Sequence, residues 1–498
     1  MLSARSVWIC TFALAGALGC ARAGTPPDGR AAAPGEGRLV LERCRLPGVS
    51  AQAKCGTLRV FENRAAASGR TIGIRVAVVP ALAARPKPDP LFILAGGPGQ
   101  AATAVAPMLV PAFDRVRRTR DLVFVDQRGT GASAPLDCAL EPPDAGIAER
   151  IATGFRAETV RACATALSKD HDLRFYGTAI AMDDLDDVRA ALGYERINLW
   201  GASYGTRAAL IFARRHPEHV RSLVLDGVAP LQLVLPRDMA QDAQRAIDLL
   251  FDQCEHDAQC SKAWPGVRQK FAALLASLED APARATVPDP ITGAPSPIVV
   301  TRDAFVRILR ALLYQPEATT LVPLTIDRAA AGDFRPFAAQ SDLVTAGLTK
   351  GLSNGMFFSV VCTEDVPFLD VENKTSWADG SFVGKGFADD VLSACEVWPR
   401  GEVPEGFRTQ VKSDVPALLF SGELDPVTPP RWGELAAKAL PHSAHIVVPG
   451  SGHGTLSDAC VRSLIDQFLD AGSVQGLDLS CAERKRPPFF TSFAGPPP

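Results

Sequence analysis

The stretch Gly201-Ala202-Ser203-Tyr204-Gly205 sets one hydroxyl between two glycines, after a short apolar run and before a helix-like one. A serine is not needed there for packing. The glycines suit a sharp turn in which backbone approaches backbone, and such a turn holds the hydroxyl clear of its surroundings. Ser203 is therefore a candidate nucleophile, with a plain tight turn as the alternative. A serine hydroxyl attacks only once a base takes its proton, so a histidine is required, and the chain has seven. His171 and His256 lie in polar stretches. His216 and His219, in "RRHPEHV", read as surface or helix-end residues. His442 and His445 precede the last apolar run. His453 follows that run in "GSGHGT", among small residues that leave an imidazole accessible, and is the candidate base.

The orienting acid has two candidates. Asp425, in "FSGELDPVTP", ends the penultimate apolar run; Asp226, in "LVLDGV", ends the one before. Asp226 is followed by glycine and suits a turn, so Asp425 is preferred. Its role would be to hold the imidazole tautomer and stabilise the imidazolium without itself becoming protonated. Ser203, Asp425 and His453 then occur in the chain order of an α/β hydrolase. The Tyr204 N–H opens the following helix, where an oxyanion can accept from it. In "AGGPGQ", Gly96 or Gly97 is the second candidate oxyanion donor, against the alternative of an ordinary turn. The loop Asp126-Gln127-Arg128-Gly129-Thr130-Gly131 reads as a brace for the site. It lacks the Lys-Ser/Thr ending of a phosphate-binding loop. His216-Pro217-Glu218-His219 is not the H-E-x-x-H pattern, and no CxxC occurs, so no metal and no cofactor are expected.

These residues need a scaffold. "TLRVFEN" and "TIGIRVAVVP" read as early antiparallel strands. Four strongly apolar runs then end in Gly-rich or acidic loops: "PLFILAGGPG", "RDLVFVDQRGTG", "INLWGASYG" and "VRSLVLDGV". Helix-like stretches such as Asp183 to Leu192 separate them. Continuous Val, Ile and Leu strands alternating with helices imply a mostly parallel sheet covered on both faces, with functional loops at the strands' carboxyl ends. The expected fold is thus an α/β-hydrolase fold, its core in residues 25–230 and 406–498. Residues 231–405 are helical in character and read as an inserted cap.

Composition narrows the classes further. With 498 residues and 47% hydrophobic content the chain can bury a large core. A net charge of -3 without a basic block gives no reason to expect nucleic acid. Residues 1–24 read as a signal peptide, with Arg5 ahead of the apolar "VWICTFALAGALG". "ALGC" resembles a lipoprotein processing site that would place a lipid anchor on Cys20; cleavage after Ala21 or Ala23 is the alternative. Residues 25–40 read as a flexible leader. The expected location is the periplasm, the cell envelope or the medium. Setting aside Cys10 and Cys20 leaves ten of the twelve cysteines, in close sequential pairs. Cys44 and Cys55, Cys138 and Cys163, Cys254 and Cys260, Cys362 and Cys395, and Cys460 and Cys481 are the expected disulfides of an exported chain, although spacing alone does not set connectivity.

Taken together, "GGPG", "DQRGTG", "GASYG", "GELDPVTP" and "GSGHG" resemble the proline iminopeptidase and tripeptidyl aminopeptidase family of α/β hydrolases. The tail through Cys481 resembles the tripeptidyl aminopeptidase-like branch. The resemblance implies Ser203 as nucleophile, His453 as base, Asp425 as acid, a helical cap, and peptide substrates with free N-termini. Ala95 stands where iminopeptidases usually carry His before "GGPG", which leans away from strict proline specificity. The resemblance also implies an acidic anchor for the substrate amine in the cap, without fixing the residue. Glu364 and Asp365, after Cys362 in "NGMFFSVVCTEDVPF", are the candidates, on a loop held rigid if Cys362 pairs with Cys395; a solvated turn before Pro367 is the alternative. An exported carboxylesterase or amidase on the same machinery, or a non-catalytic binding protein, are the other readings.

Overall fold

Alternation within continuous apolar strands decides how the layers form. In β4 (Leu91–Leu94), labelled after β1 (Glu42–Cys44), β2 (Ala53–Phe61) and β3 (Thr71–Val79), all four residues are buried. Phe92 and Leu94 pack into one core, Leu91 and Ile93 into another. The same alternation continues through β5 (Leu122–Val125), β6 (Ile197–Ala202) and β7 (Val220–Asp226), and again in β10 (Ala417–Gly422), which follows the hairpin of β8 (Ala283–Pro288) and β9 (Pro295–Val300). The chain's last strand is β11 (Ser443–Val448). On one face lie the helices Thr178–Ala191, Tyr204–Arg215 and Pro430–Ala437; on the other lie Ala102–Ala112 and Ala459–Ala471. Burying each large apolar side chain between these layers stabilises the fold by about 1.5–3 kcal/mol before entropy is charged against it.

The nine-stranded sheet runs β1-β2-β3-β5-β4-β6-β7-β10-β11. Strands β1 to β3 are antiparallel, β3 meets β5 antiparallel, and every pairing from β5 to β11 is parallel. The computed structural model describes residues 39–138, 140, 145–152, 154–289, 292–349, 351–370, 376–482 and 487–491, without the side chains of 342, 345–349, 481 and 482. The expected signal peptide with Cys10 and Cys20, and the C-terminal "AGPPP", lie outside the described residues. Among the described residues no helix is long and apolar enough to cross a membrane.

Residues between β7 and β10 form a largely helical block with a hydrophobic core of its own, around Phe251, Phe271, Phe305, Leu309 and Phe337. Two features go beyond the sequence reading. The block holds the antiparallel hairpin β8–β9. It also takes in chain from before β6: Ile147 and Ile151 pack into its core, and Leu136, Val160 and Ala164 pack against the helices Asn354–Glu364 and Gly386–Val397. Four of the expected disulfides are present, Cys44–Cys55, Cys138–Cys163, Cys254–Cys260 and Cys362–Cys395. Cys460 is disulfide-bonded as well; the side chain of Cys481 lies outside the described residues.

A buried ionic knot joins the block to the sheet layer. Asp365, fully buried, accepts from Arg207 of the helix Tyr204–Arg215 at 3.1 and 3.3 Å and from Arg408 at 2.8 Å. Both arginines also donate to the Leu233 carbonyl at 2.8 Å, and Arg408 donates to the carbonyls of Leu231 and Glu364. The points where the chain leaves the sheet and returns to it are thereby tied to one carboxylate. Removing one partner of such a cluster strands buried charge. Asp365→Ala is expected to lower stability by about 3–5 kcal/mol, read as a reduced urea midpoint at unchanged slope. A loss below about 1 kcal/mol would mean the knot is not a buried ion cluster.

Candidate active site

The elbow shows why its glycines are needed. A Cβ on Gly201 would lie 2.3 Å from the Gly205 carbonyl oxygen, and one on Gly205 would lie 2.1 Å from the Leu94 carbonyl oxygen. Strand β6, the start of the next helix and the end of β4 therefore close on one another with no room for a side chain. Ser203 sits at the apex with φ 55° and ψ -124°, a left-handed conformation unfavourable for a residue with a Cβ. Its N–H donates to the Asp226 carbonyl at 2.9 Å, which fastens the apex to the end of β7.

Parallel register brings the other groups to the same edge. Leu94 pairs with Gly201, Ala202 with Asp226, Asp226 with Phe420, and Gly422 with Val448, so the carboxyl ends of β4, β6, β7, β10 and β11 stand side by side. Beyond β10, Asp425 is fully buried and accepts from the N–H groups of Val427 and Thr428 at 2.8 Å each and from the Thr428 hydroxyl at 2.7 Å. Beyond β11, His453 places Nδ1 at 2.9 and 3.1 Å from the two Asp425 oxygens. A carboxylate only accepts, so Nδ1 carries the proton and Nε2 is left with a lone pair. Burial alone would push His453 down; the Asp425 carboxylate outweighs it and holds the imidazole above its ordinary value of 6.5. Burial would likewise raise Asp425, but the imidazole and the backbone N–H groups hold it below 3.8.

Asp226 occupies a different place. Its carboxylate accepts from the Thr455 N–H at 2.9 and 3.0 Å and from the Thr455 hydroxyl at 2.9 Å, so it anchors the loop carrying His453. Burial pushes this carboxyl up to about 6. Between the two candidates for the acid, only Asp425 is bonded to the imidazole. Gly96 lies against the elbow: a Cβ there would stand 3.8 Å from Ser203 Oγ. Gly97, with φ 107°, neighbours Gly99, Gln100 and Leu352. The Tyr204 N–H opens its helix, where no helical carbonyl can reach it. In the Asp126–Gly131 loop, Arg128 is fully buried and donates to Asp184 at 2.6 and 2.9 Å and to the Glu62 and Phe175 carbonyls, bracing the sheet against the helix Thr178–Ala191.

The expected amine anchor is corrected. Glu364 ends a helix and is 1% exposed, and both of its oxygens are taken by Thr178, by the N–H at 2.6 Å and the hydroxyl at 2.8 Å. Thr178 in turn receives the Tyr204 hydroxyl at 2.7 Å. Asp365 is consumed by its arginines. Neither carboxylate can meet a substrate ammonium, because each is dry and already paired; the pair supports the elbow helix from behind. Burial pushes Glu364 up to about 7.

Three neighbours of the site were missed in the sequence. Thr428 bridges Asp425 and His453, with its hydroxyl 3.1 Å from Nδ1; its position three residues after Asp425 is the signature of a side-chain turn. Tyr314 accepts the His453 N–H on its carbonyl at 2.8 Å and sets its ring edge-on to the imidazole, with centroids 5.0 Å apart. Arg310 donates to the Tyr314 hydroxyl at 3.1 Å and lies over the Phe387 ring. Nothing local marks Tyr314 or Arg310, since both arrive from the inserted block. Arg310 lines a cavity of about 280 Å³ in that block, with Arg156, Arg307, Asp303 and Asp390.

A strand–serine–helix elbow and a hydrogen-bonded Asp–His pair, both at the carboxyl edge of a mostly parallel sheet, define an α/β-hydrolase fold. Comparison with known proteins agrees on the fold: residues 89–254 match the alpha/beta hydrolase fold family and residues 380–481 match the TAP-like protein family. It is 25% identical over 473 residues to the serine protease Hip1 of Mycobacterium tuberculosis, covering 88% of each chain. It is 24% identical over 430 residues to the tripeptidyl aminopeptidase of Streptomyces coelicolor, covering 79% of this chain and 75% of the other. A probable proline iminopeptidase of the same organism is 33% identical over 144 residues, covering 29% of this chain and 34% of the other.

Asp425→Asn is expected to lower kcat/KM by about three to four orders of magnitude through the wrong tautomer, and Asp226→Asn by no more than about tenfold. The reverse ranking would give the orienting role to Asp226. A base must be neutral, and the His453 pKa is raised, so activity is lost as pH falls through a value above 6.5. The acid limb of the kcat/KM profile should have its midpoint above 6.5, and lower in Asp425→Asn than in the parent.

Proposed function

We propose that the protein is an exported serine peptidase of aminopeptidase type that removes residues or short peptides from free N-termini through an acyl-enzyme on Ser203. The observation that carries the reading is the His453 imidazole held by Asp425 in one tautomer at the same sheet edge as Ser203, which stands in a left-handed backbone conformation. Ser203 Oγ attacks the scissile carbonyl carbon as its proton passes to His453 Nε2. The oxyanion accepts from the Tyr204 N–H and from Gly96 or Gly97. Collapse expels the amine, which takes the proton from His453, and water then releases the acyl group by the same route. Relatives named as a serine protease and as a tripeptidyl aminopeptidase support peptide substrates and favour the tripeptidyl-type branch over an esterase.

The helical block 231–405, joined by residues 136–167, is proposed as a cap that limits access to the site. Disulfides support export, and Cys20 is the proposed point of lipid attachment if processing follows the lipoprotein route.

Ser203→Ala is expected to reduce turnover by roughly four orders of magnitude or more with the fold intact. Free-amine tripeptidyl anilides, their N-acetylated counterparts and simple p-nitrophenyl esters separate the activities. Cleavage of the free-amine peptides, with the acetylated ones at least tenfold slower, is the expected outcome. Hydrolysis of esters alone would overturn the aminopeptidase reading.

A further inference from the structure

A second cluster of chemistry-bearing side chains lies at the other end of the sheet. Parallel strands β6 and β7 pair Ala202 with Asp226 at the Ser203 edge and Ile197 with Val220 at the opposite one. His219 immediately precedes Val220, so it stands at the edge away from the nucleophile. Residues 217–219 form a 3-10 turn after the elbow helix, with Pro217 at its start. Such a turn eclipses side chains three residues apart, and the rings of His216 and His219 accordingly stack, 10° from parallel with centroids 6.2 Å apart. On the facing helix, Thr178–Ala191, Asp183 and Asp186 are also three apart and share one helix face. Two imidazoles thus meet two carboxylates.

The pairing divides them into two roles. Asp186 has one oxygen 2.7 Å from His219 Nδ1 and the other 3.8 Å from His216 Nδ1. One donor atom from each of these three residues lies within 4.8 Å of the others. The far nitrogen of His216, Nε2, is 3.0 Å from Asp183, which Arg215 holds from its other side at 2.7 and 2.8 Å. The far nitrogen of His219 is 3.7 Å from Glu218. At His216 this is the pattern of a metal-ligating histidine, in which one ring nitrogen faces the ion while a carboxylate orients the other; at His219 the Glu218 carboxylate stands beyond hydrogen-bond distance of the outer nitrogen. Arg189 is the opposing charge: it donates to Asp186 at 2.7 and 3.4 Å and approaches His219 Nε2 at 3.4 Å, while its other nitrogen is tied to the Tyr194 carbonyl at 2.6 Å.

We propose that His216, His219 and Asp186 form a structural site for a divalent ion of the zinc class, pinning the helix Thr178–Ala191 to the turn before β7. Zinc takes imidazole nitrogen and carboxylate oxygen at about 2.0–2.2 Å, which asks for donors roughly 3.3 Å apart in a tetrahedron. The separations of 2.7 and 3.8 Å bracket that value. The side chains are 17 to 26% exposed, which lets water complete the shell. On binding, the proton that His219 Nδ1 shares with Asp186 moves to Nε2, towards Glu218, and Arg189 turns from the ring while remaining a donor to the carboxylate. The mixed nitrogen and oxygen donors select against magnesium, which prefers an all-oxygen shell with several waters.

The test titrates zinc chloride into the purified chain, stripped with EDTA, by calorimetry and thermal unfolding. One zinc per chain and a rise in Tm are expected. Binding should weaken at least tenfold in His216→Ala and His219→Ala, and about tenfold in Asp183→Asn, which touches only the outer nitrogen. His453→Ala should bind as the parent does, and EDTA should leave peptidase turnover within twofold. If an alanine variant fails to fold by circular dichroism, His216→Gln and His219→Gln take its place. No stoichiometric zinc, zinc binding unaffected by the His216 and His219 variants, loss of the site in His453→Ala, or equal binding of magnesium would each overturn the proposal.

Discussion

One buried carboxylate ties the helix that begins after Ser203 to the inserted block. Asp365 belongs to the insertion, Arg207 to the helix that starts at the elbow, and Arg408 to the chain returning to the sheet. Taking these charges out of water costs several kcal/mol each, and their attraction repays it only if the remaining hydrogen-bonding positions are filled. Here the carbonyls of Leu231, Leu233 and Glu364 take up most of them, and among the described residues the Nε atoms of Arg207 and Arg408 are left buried without a partner. An apolar contact would be as stable but would tolerate sliding. The directional knot does not, and through Glu364, Thr178 and Tyr204 it extends to the residue beside Ser203.

The site edge is built from crowding of a different kind. Backbone at Gly201, Gly205 and Leu94 approaches too closely for any Cβ, and Ser203 absorbs the strain at the apex. The adjacent strand ends then place Asp226 and Asp425 a strand apart, and hydrogen bonding separates their roles. Asp226 spends its acceptors on the Thr455 backbone and hydroxyl; Asp425 keeps one face for the imidazole. The insertion completes this edge, because the carbonyl and ring of Tyr314 both bear on His453.

Much of this was legible because it is local. Continuous apolar runs ending in Gly-rich loops are strands buried on both faces, and the residues after them fall at one edge whatever the helices do. The expectations for Ser203, His453 and Asp425 are drawn that way, and the register places all three at that edge. The acidic pair was misread because its partners, Thr178, Arg207 and Arg408, are far off in sequence and a charged pair before proline looks like a solvated turn. The hairpin β8–β9 was hidden in a segment where Pro288, Pro295 and Pro297 mask the alternation. The histidines of "RRHPEHV" were set aside because motif spacing within one segment cannot reveal carboxylates supplied by another helix.

The helical block's two sources in the chain explain where its covalent links fall. Cys138–Cys163 closes a loop of 25 residues in the part before β6, and Cys362–Cys395 closes one of 33 in the part before β10. Both pack into the same cluster, around Met356, Phe358 and Trp398. That cluster joins segments far apart in sequence, so its closure entropy is large and its own apolar area has to meet it. Each crosslink stabilises by roughly 3 kcal/mol through the unfolded chain, and it does so in the layer that touches the elbow helix. The outer core around Phe305 and Phe337 is larger and drawn mostly from residues between β7 and β10, with Ile147 and Ile151 added from before β6, and among the described residues it carries the short link Cys254–Cys260. Covalent reinforcement is therefore concentrated in the layer that packs against Tyr204, next to Ser203.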